Sequence, residues 1–212
     1  MNLSQAGARH GAGEGMSKAN GWVEWWRGLE REASKYNPPG WSYNPASWAQ
    51  RVPLIIAALI GFVMAAYLSL FQFKLMDDVW EPFFGNGTRK ILTSEVSNWL
   101  PIPDGALGAL GYLADALGAI VGGQHRWRTM PWIVVLFALM IGPLGAISIA
   151  LVIAQPVAFD AWCTICLGTA AISVIMIGPA MDEGLASFQY LRRVYNTPGQ
   201  SLWRAFWGKE VY

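Results

Sequence analysis

The residues whose type and spacing most clearly indicate chemistry are two cysteines, Cys163 and Cys166. Three positions apart on a helix, they lie on one face, where their sulfur atoms can meet. A helix N-terminus favours the thiolate, which is the reactive species in thiol–disulfide exchange, and Asp160 is the predicted N-cap. The pair therefore predicts a redox-active dithiol. The alternative is two small apolar residues that only fill space between buried helices.

The rest of the composition argues against two other kinds of site. The two histidines, His10 and His125, are far apart in the sequence, and no spacing of ligands suggests a metal site. The formal net charge is +1, from 15 Lys and Arg against 14 Asp and Glu, so the chain has no basic field that could hold a nucleic acid. We therefore expect neither a metal nor a nucleic acid as a partner.

The elements that must position the cysteines are membrane helices. Hydrophobic residues make up 54% of the chain and charged residues 14%, whereas soluble domains carry about 25% charged residues. A helix needs about 20 apolar residues to cross a bilayer. Four segments approach this length, although the second contains Asp115: residues 52–73, 105–123, 130–159 and 161–181. We predict an all-α membrane protein whose residues 52–181 form a four-helix transmembrane bundle.

The distribution of basic residues predicts the orientation of this bundle. With four spans, twelve of the fifteen Lys and Arg residues fall on the side that holds both chain termini. The positive-inside rule then places both termini in the cytoplasm of a multi-pass protein of the cell (inner) membrane. The cysteine pair, at the start of the last span, would lie near the outer face, in the compartment where disulfides persist.

Three segments flank the bundle. Residues 1–21 are rich in Gly, Ala and Ser, lack the apolar core of a signal peptide, and predict a disordered tail. Residues 22–51 begin with an amphipathic, Trp-rich helix followed by a linker. Residues 182–212 predict a cytoplasmic segment in which Trp203, Phe206 and Trp207 share one helical face. Both helices are predicted to lie in the membrane interface; the alternative is that they dock onto helices of another protein.

Three motifs give the chain a resemblance to a known family. They are Cys163-Thr-Ile-Cys166, Ile102-Pro-Asp-Gly-Ala-Leu-Gly-Ala-Leu-Gly-Tyr112 and Lys90-Ile-Leu-Thr-Ser94. Over residues 44–181 the chain resembles the vitamin K epoxide reductase family, four-helix membrane enzymes that couple disulfide formation to quinone reduction. The resemblance implies a quinone, ubiquinone or menaquinone, as electron acceptor.

The resemblance also implies roles for individual residues. Cys163 and Cys166 would form the active disulfide, with Cys166 meeting the quinone ring and Cys163 exchanging with an incoming thiol. Ser94 matches a loop Ser or Thr that the family keeps near the site. Asp104 occupies the place of an Asn that hydrogen-bonds a quinone carbonyl, a role that requires the protonated acid. Alternatively, Asp104 only caps the second span.

The chain departs from the family in its long outer loop. Family members usually carry two shuttle cysteines there, and the matching positions are Trp80 and Thr88. The Tyr or His that often follows the second membrane cysteine by one turn is Ala170. The loop carries instead an aromatic cluster of Trp80, Phe83 and Phe84. These side chains would either cap a quinone pocket or lie in the membrane interface.

Two functions follow, and a third has less support. In the first, the chain oxidises an extracytoplasmic thioredoxin-fold protein and reduces quinone, and because it lacks shuttle cysteines the partner must reach the membrane surface itself. In the second, it is a degenerate family member that acts as an accessory or scaffold subunit of a larger membrane complex. The third is a transporter with Asp115 as its ion or proton site.

Overall fold

The computed structural model describes residues 21, 23–25, 27–28, 36–94 and 102–209. The predicted disordered tail and most of the predicted helix over residues 22–35 lie outside the described residues. After residue 36, helices account for most of the described chain and no strand occurs in it. The helices are α1 (Trp48–Gln72), α2 (Gly87–Leu92), α3 (Asp104–Ile120), α4 (Arg126–Thr129), α5 (Pro131–Ala158), α6 (Thr164–Tyr195) and α7 (Leu202–Phe206).

Three of these helices, α1, α5 and α6, are long and apolar enough to cross a membrane. The prediction of an all-α membrane protein is thus confirmed, but the fourth span stays a prediction. Helix α3 has 17 residues, which makes it about 25 Å long, short of a hydrocarbon core of about 30 Å. It ends early because Val121 is extended and Gly122 turns the chain with a φ of 86°.

Two helix ends differ from those predicted. Helix α1 begins at Trp48, so Pro53 lies inside the helix and not at its start. Helix α6 continues past Pro179 and past residue 181, where the predicted span ends, to Tyr195. A proline removes one backbone hydrogen bond, and tertiary packing can compensate for it. Here the continuation of α6 is held by Glu183, which pairs with a buried arginine, and by the fully buried Ala186.

Small residues allow α3 to pack closely against α1. A Cβ atom added at Gly105 would lie 3.0 Å from the backbone nitrogen of Ser69, and one added at Gly108 would lie 3.6 Å from the Cβ atom of Ala65. On the facing helix, Gly61 accommodates the ring of Tyr112. This is the close approach of backbones that glycines at helical spacing permit in membrane bundles.

Buried arginines tie one end of the bundle together, which we call the arginine end. Arg51 donates hydrogen bonds to the carbonyl oxygens of Ala119, Val121 and Gly122, at 2.6, 2.9 and 2.9 Å. Arg126 pairs with Glu183, and both side chains are almost completely buried. A cation at a helix C-terminus satisfies carbonyl groups that lack partners in the helix. The opposite end, which carries the cysteines, we call the cysteine end.

Candidate active site

The two cysteines lie at the start of α6 and form a disulfide, with their Cα atoms 5.2 Å apart. Helix α6 begins at Thr164, so Cys163 holds the N-cap position and its sulfur accepts a hydrogen bond from the Cys166 N–H at 3.1 Å. The prediction of Asp160 as N-cap is therefore wrong. Asp160 has a φ of 45°, and the turn it makes delays the start of the helix by three residues.

The two sulfur atoms face different surroundings. Cys163 has no solvent exposure and belongs to a buried cluster with Leu68, Ile91 and Leu92. Its N–H donates to the side-chain oxygen of Gln155 at 2.9 Å. Cys166 is only partly buried and lines a cavity between the helices. The sulfur of Cys163 is thus shielded from solvent, whereas that of Cys166 faces the cavity.

A carboxylate in the loop bonds Thr164, the residue that follows Cys163. Glu81 accepts hydrogen bonds from the N–H of Thr164, at 3.0 Å, and from the hydroxyl groups of Thr164 and Thr88. We call this arrangement the Glu81 bridge. Burial opposes the charge of Glu81, but these bonds, first of all those from Thr164, outweigh it and lower the pKa of the carboxyl to about 2. The bridge fastens the loop to the first residue of α6.

Helix α2 packs against the backbone that leads into the disulfide. A Cβ atom added at Gly87 would lie 2.0 Å from the carbonyl oxygen of Trp162, so only glycine fits there. Thr88, the next residue, is fully buried beneath the loop. Thr88 is also one of the two positions at which the sequence suggested a missing shuttle cysteine. In the structure its hydroxyl donates to Glu81, which also bonds Thr164, the residue after Cys163.

The cavity beside Cys166 has a volume of about 150 Å³. Its wall is formed by α1, α3, α5 and α6 together with Leu92 of α2. A cavity of roughly this volume accommodates one benzene ring. Polar groups occupy both of its ends: Asp104 and Gln155 near the cysteine end, and hydroxyl and carboxyl groups deeper in the bundle. The cavity therefore suits the ring of a quinone, which is flat and apolar with an oxygen atom at each end.

The residues predicted for the site separate into two groups. Asp104 lines the cavity, and its carboxylate accepts hydrogen bonds from its neighbour's N–H at 2.9 Å and from Gln72. The N-cap position of α3 belongs to Pro103, so Asp104 is the first helical residue.

Ser94, Trp80, Phe83 and Phe84 do not line the cavity. The three aromatic side chains are 67%, 76% and 42% exposed. Their role as a lid over the cavity stays a prediction.

Several residues of the site were not predicted from the sequence. Gln155 accepts a hydrogen bond from the N–H of Cys163, and Glu81 accepts two from Thr164. The hydroxyl of Tyr112, on α3, lines the cavity and donates to the Thr169 carbonyl of α6, at 2.6 Å. Gln155 could have been predicted as a site residue, because it is a polar residue in an otherwise apolar stretch of sequence. Ala170, at the position where the family often has a ring, is part of the cavity wall. Its small side chain leaves space there.

Comparison with known proteins gives one match. A model of the vitamin K epoxide reductase family matches residues 52–180, which is more than half of the chain. No match is found among curated proteins or among solved structures. The matched residues include α3, α5, the disulfide, the cavity and α1 from Val52 onwards.

Proposed function

Because the chain belongs to the vitamin K epoxide reductase family, whose members are quinone-linked disulfide oxidoreductases of membranes, we propose that it transfers electrons from a protein dithiol to a quinone through Cys163 and Cys166. The observation that carries the proposal is the position of Cys166 in the wall of a ring-sized cavity while it is bonded to Cys163. A quinone ring in that cavity would contact the sulfur that delivers the electrons.

The exchange half of the reaction takes place at Cys163. A partner thiolate attacks the sulfur of Cys163, the bond to Cys166 breaks, and Cys166 leaves as a thiolate. The second thiol of the partner then resolves the mixed disulfide and leaves Cys163 reduced. The N–H of Cys166 already points at the Cys163 sulfur, at 3.1 Å. This hydrogen bond stabilises negative charge on Cys163, as a helix N-terminus does in other reactive cysteines.

The quinone half of the reaction takes place at Cys166. Its thiolate and the Cys163 thiol give up two electrons, and the disulfide re-forms. The quinone takes two electrons and two protons and leaves as the hydroquinone. Ubiquinone and menaquinone are both candidates, because the cavity has room for the ring that they share. In total, one partner dithiol becomes a disulfide for each quinone that is reduced.

We further propose that the cysteine end faces the outside of the cell membrane and that both termini are cytoplasmic. The excess of basic residues on the terminal side supports this orientation. A thioredoxin-fold protein outside the membrane is the proposed partner. Trp80 and Thr88 provide no sulfur for a relay, so the partner has to reach Cys163 directly. Since Cys163 is fully buried, the loop that carries Glu81 has to move for this contact.

The test uses purified protein in lipid nanodiscs, a reduced thioredoxin-fold protein and a short-chain ubiquinone or menaquinone. Quinol formation is followed by its absorbance. We expect turnover in the wild type and its loss in both Cys163→Ala and Cys166→Ala. Thr197→Ala, at an exposed position beyond the far end of α6, is the control and should keep full activity. Wild-type turnover in either cysteine variant would contradict the proposal.

The second candidate function is that of an accessory subunit in a larger membrane complex. The specific observation in its favour is that Trp80 and Thr88 stand where the relay would be, together with an exposed aromatic surface on α7 that includes Trp203, which is 69% exposed. For this function the protein should purify with other membrane proteins and show no quinone turnover. The same assay therefore separates the two candidates.

A further inference from the structure

A carboxyl group at the end of the cavity away from Cys166 has no role in the proposed reaction as described so far. Asp115 of α3 is only 4% exposed, lines the same cavity as Cys166, and has an oxygen, Oδ1, without a hydrogen-bond partner in the described part of the chain. Burying a polar atom without a partner is costly. Buried polar atoms that lack a partner within the protein are expected to meet a ligand or a water molecule.

The hydroxyl groups around Asp115 are already engaged with one another. The hydroxyl of Tyr112 donates to the carbonyl oxygen of Thr169 at 2.6 Å and lies 2.7 Å from the hydroxyl of Ser173. Ser148 donates to the carbonyl of Leu144 at 2.9 Å. Asp115 is thus the polar group at this end with a free hydrogen-bonding atom.

The size of the cavity places Asp115 within reach of the same ligand as Cys166. Cys166 and Ser173 are seven residues apart on α6, which corresponds to about 10 Å along the helix. The cavity of about 150 Å³ spans this distance, with Cys166 at one end and Ser173 and Asp115 at the other. A single ring that fills it contacts both ends, with one oxygen directed towards Asp115.

We propose that Asp115 binds the quinone oxygen that faces away from Cys166 and supplies it with a proton. The inference rests on the proposed function, which it deepens. In its acid form Asp115 donates a hydrogen bond, which the carboxylate cannot do. A proton donor in contact with the reacting oxygen is what general acid catalysis requires.

The protons and electrons balance as follows. The Cys166 thiolate and the Cys163 thiol give up two electrons and one proton when their disulfide re-forms. The quinone takes two electrons and two protons, one from Cys163 and one from Asp115. Water that enters the cavity returns a proton to Asp115. This proton equals the one that the partner's attacking thiol released to water when it became a thiolate, so the sum over the cycle is unchanged.

The experiment separates the two half-reactions in Asp115→Asn, which keeps the shape of the side chain and can still donate a hydrogen bond but has no proton to transfer. Reduction of the disulfide by the partner should occur at the wild-type rate, and this also shows that the variant is folded. The dissociation constant of a short-chain quinone, measured by quenching of tryptophan fluorescence, should change less than about threefold. Reoxidation of the pre-reduced protein by quinone in a single turnover should slow by more than about tenfold.

Two further variants complete the test. Asp115→Glu keeps a transferable proton on a longer side chain and should recover a clear part of the reoxidation rate. Ser187→Ala removes another buried polar atom without a partner in the described residues, but Ser187 lies outside the cavity, so this variant should behave as the wild type does.

Reoxidation of Asp115→Asn at the wild-type rate would overturn the proposal. So would equal slowing in the Asn and Glu variants, or a weaker quinone affinity that accounts for the whole rate loss. If the wild type itself reduces no quinone, the proposed function fails, and that result is distinct from a failure at Asp115 alone.

Discussion

Access to Cys163 should be controlled by the Glu81 bridge. The sulfur has no solvent exposure, and Glu81 fastens the covering loop to Thr164 and Thr88. A reductant reaches the disulfide through Cys163 only while this loop is open. In Glu81→Gln the side chain keeps its size and loses its charge, and one of its two accepting oxygens becomes an NH2 group that cannot accept a hydrogen bond. The donors therefore face a neutral and weaker acceptor. The variant should therefore open more often and be reduced faster.

The size of the effect follows from the bonds that lose their charge. A hydrogen bond to a charged group contributes about 1.5–3 kcal/mol, against about 1 kcal/mol for a neutral one. Glu81 accepts three bonds from Thr164 and Thr88, but it is only partly buried, and solvent reduces such contributions considerably. We expect a net loss of about 1.5 kcal/mol, which raises the population of the open loop about tenfold.

The assay measures the rate at which a reduced thioredoxin-fold protein, which is too large to enter the cavity beside Cys166, reduces the disulfide in detergent, with alkylation and mass spectrometry as the readout. When loop opening is fast and reversible, this rate is proportional to the open population. Asp78→Asn is the matched control. It removes the other carboxylate bond of the same loop, to Arg89 at 2.7 Å, but both of these side chains are exposed, so the rate should change less than about twofold. Equal rates in wild type and Glu81→Gln would refute the reasoning, as would an equally fast control.

Three further predictions concern the same contacts and the opposite end of the bundle. In Gly87→Ala the added methyl group overlaps the carbonyl oxygen of Trp162, so the loop cannot pack against the backbone that leads into the disulfide. The disulfide should then be reduced at least as fast as in Glu81→Gln. The pKa of Glu81 is lowered from 4.5 to about 2, so the bridge is at full strength above about pH 5 and weakens as the pH falls towards 2. The reduction rate of Glu81→Gln divided by that of the wild type should therefore be constant above about pH 5. Below about pH 5 this ratio should fall. Glu183→Gln leaves Arg126 buried without its counter-charge, so the free energy of unfolding should fall by about 3 kcal/mol. The measurement is a lower thermal unfolding temperature in detergent.

Local patterns predicted the elements that carry the site. The apolar segments predicted α1, α5 and α6, and the position of the cysteines at the start of the last of these segments placed the pair at the start of α6. Both predictions depend on residues that are close in the sequence. The length of α3 was overestimated because the turn at Gly122 falls inside an apolar stretch that composition alone reads as continuous.

Contacts between distant residues could not be predicted in this way. Glu81 and Thr164 are 83 positions apart, and Tyr112 meets Thr169 across 57 positions. Neither contact changes the periodicity of hydrophobic residues in the sequence, so neither could be predicted from it. The same holds for α6, whose continuation past Pro179 depends on Glu183 and its buried partner. A proline reads as a stop signal from the sequence alone, since the packing that compensates for it is not visible there.

In the proposed reaction, the placement of the two sulfur atoms lets one disulfide serve two reactants of very different size. Cys163 is fully buried, next to the residue that the Glu81 bridge holds, and Cys166 lines a cavity of about the volume of one ring. A folded partner is far too large for the cavity, so it can reach only Cys163. A quinone in the cavity contacts Cys166 while the loop stays closed. In this proposal electrons cross from one reactant to the other through the bond between the sulfur atoms, and the two reactants do not compete for the same space.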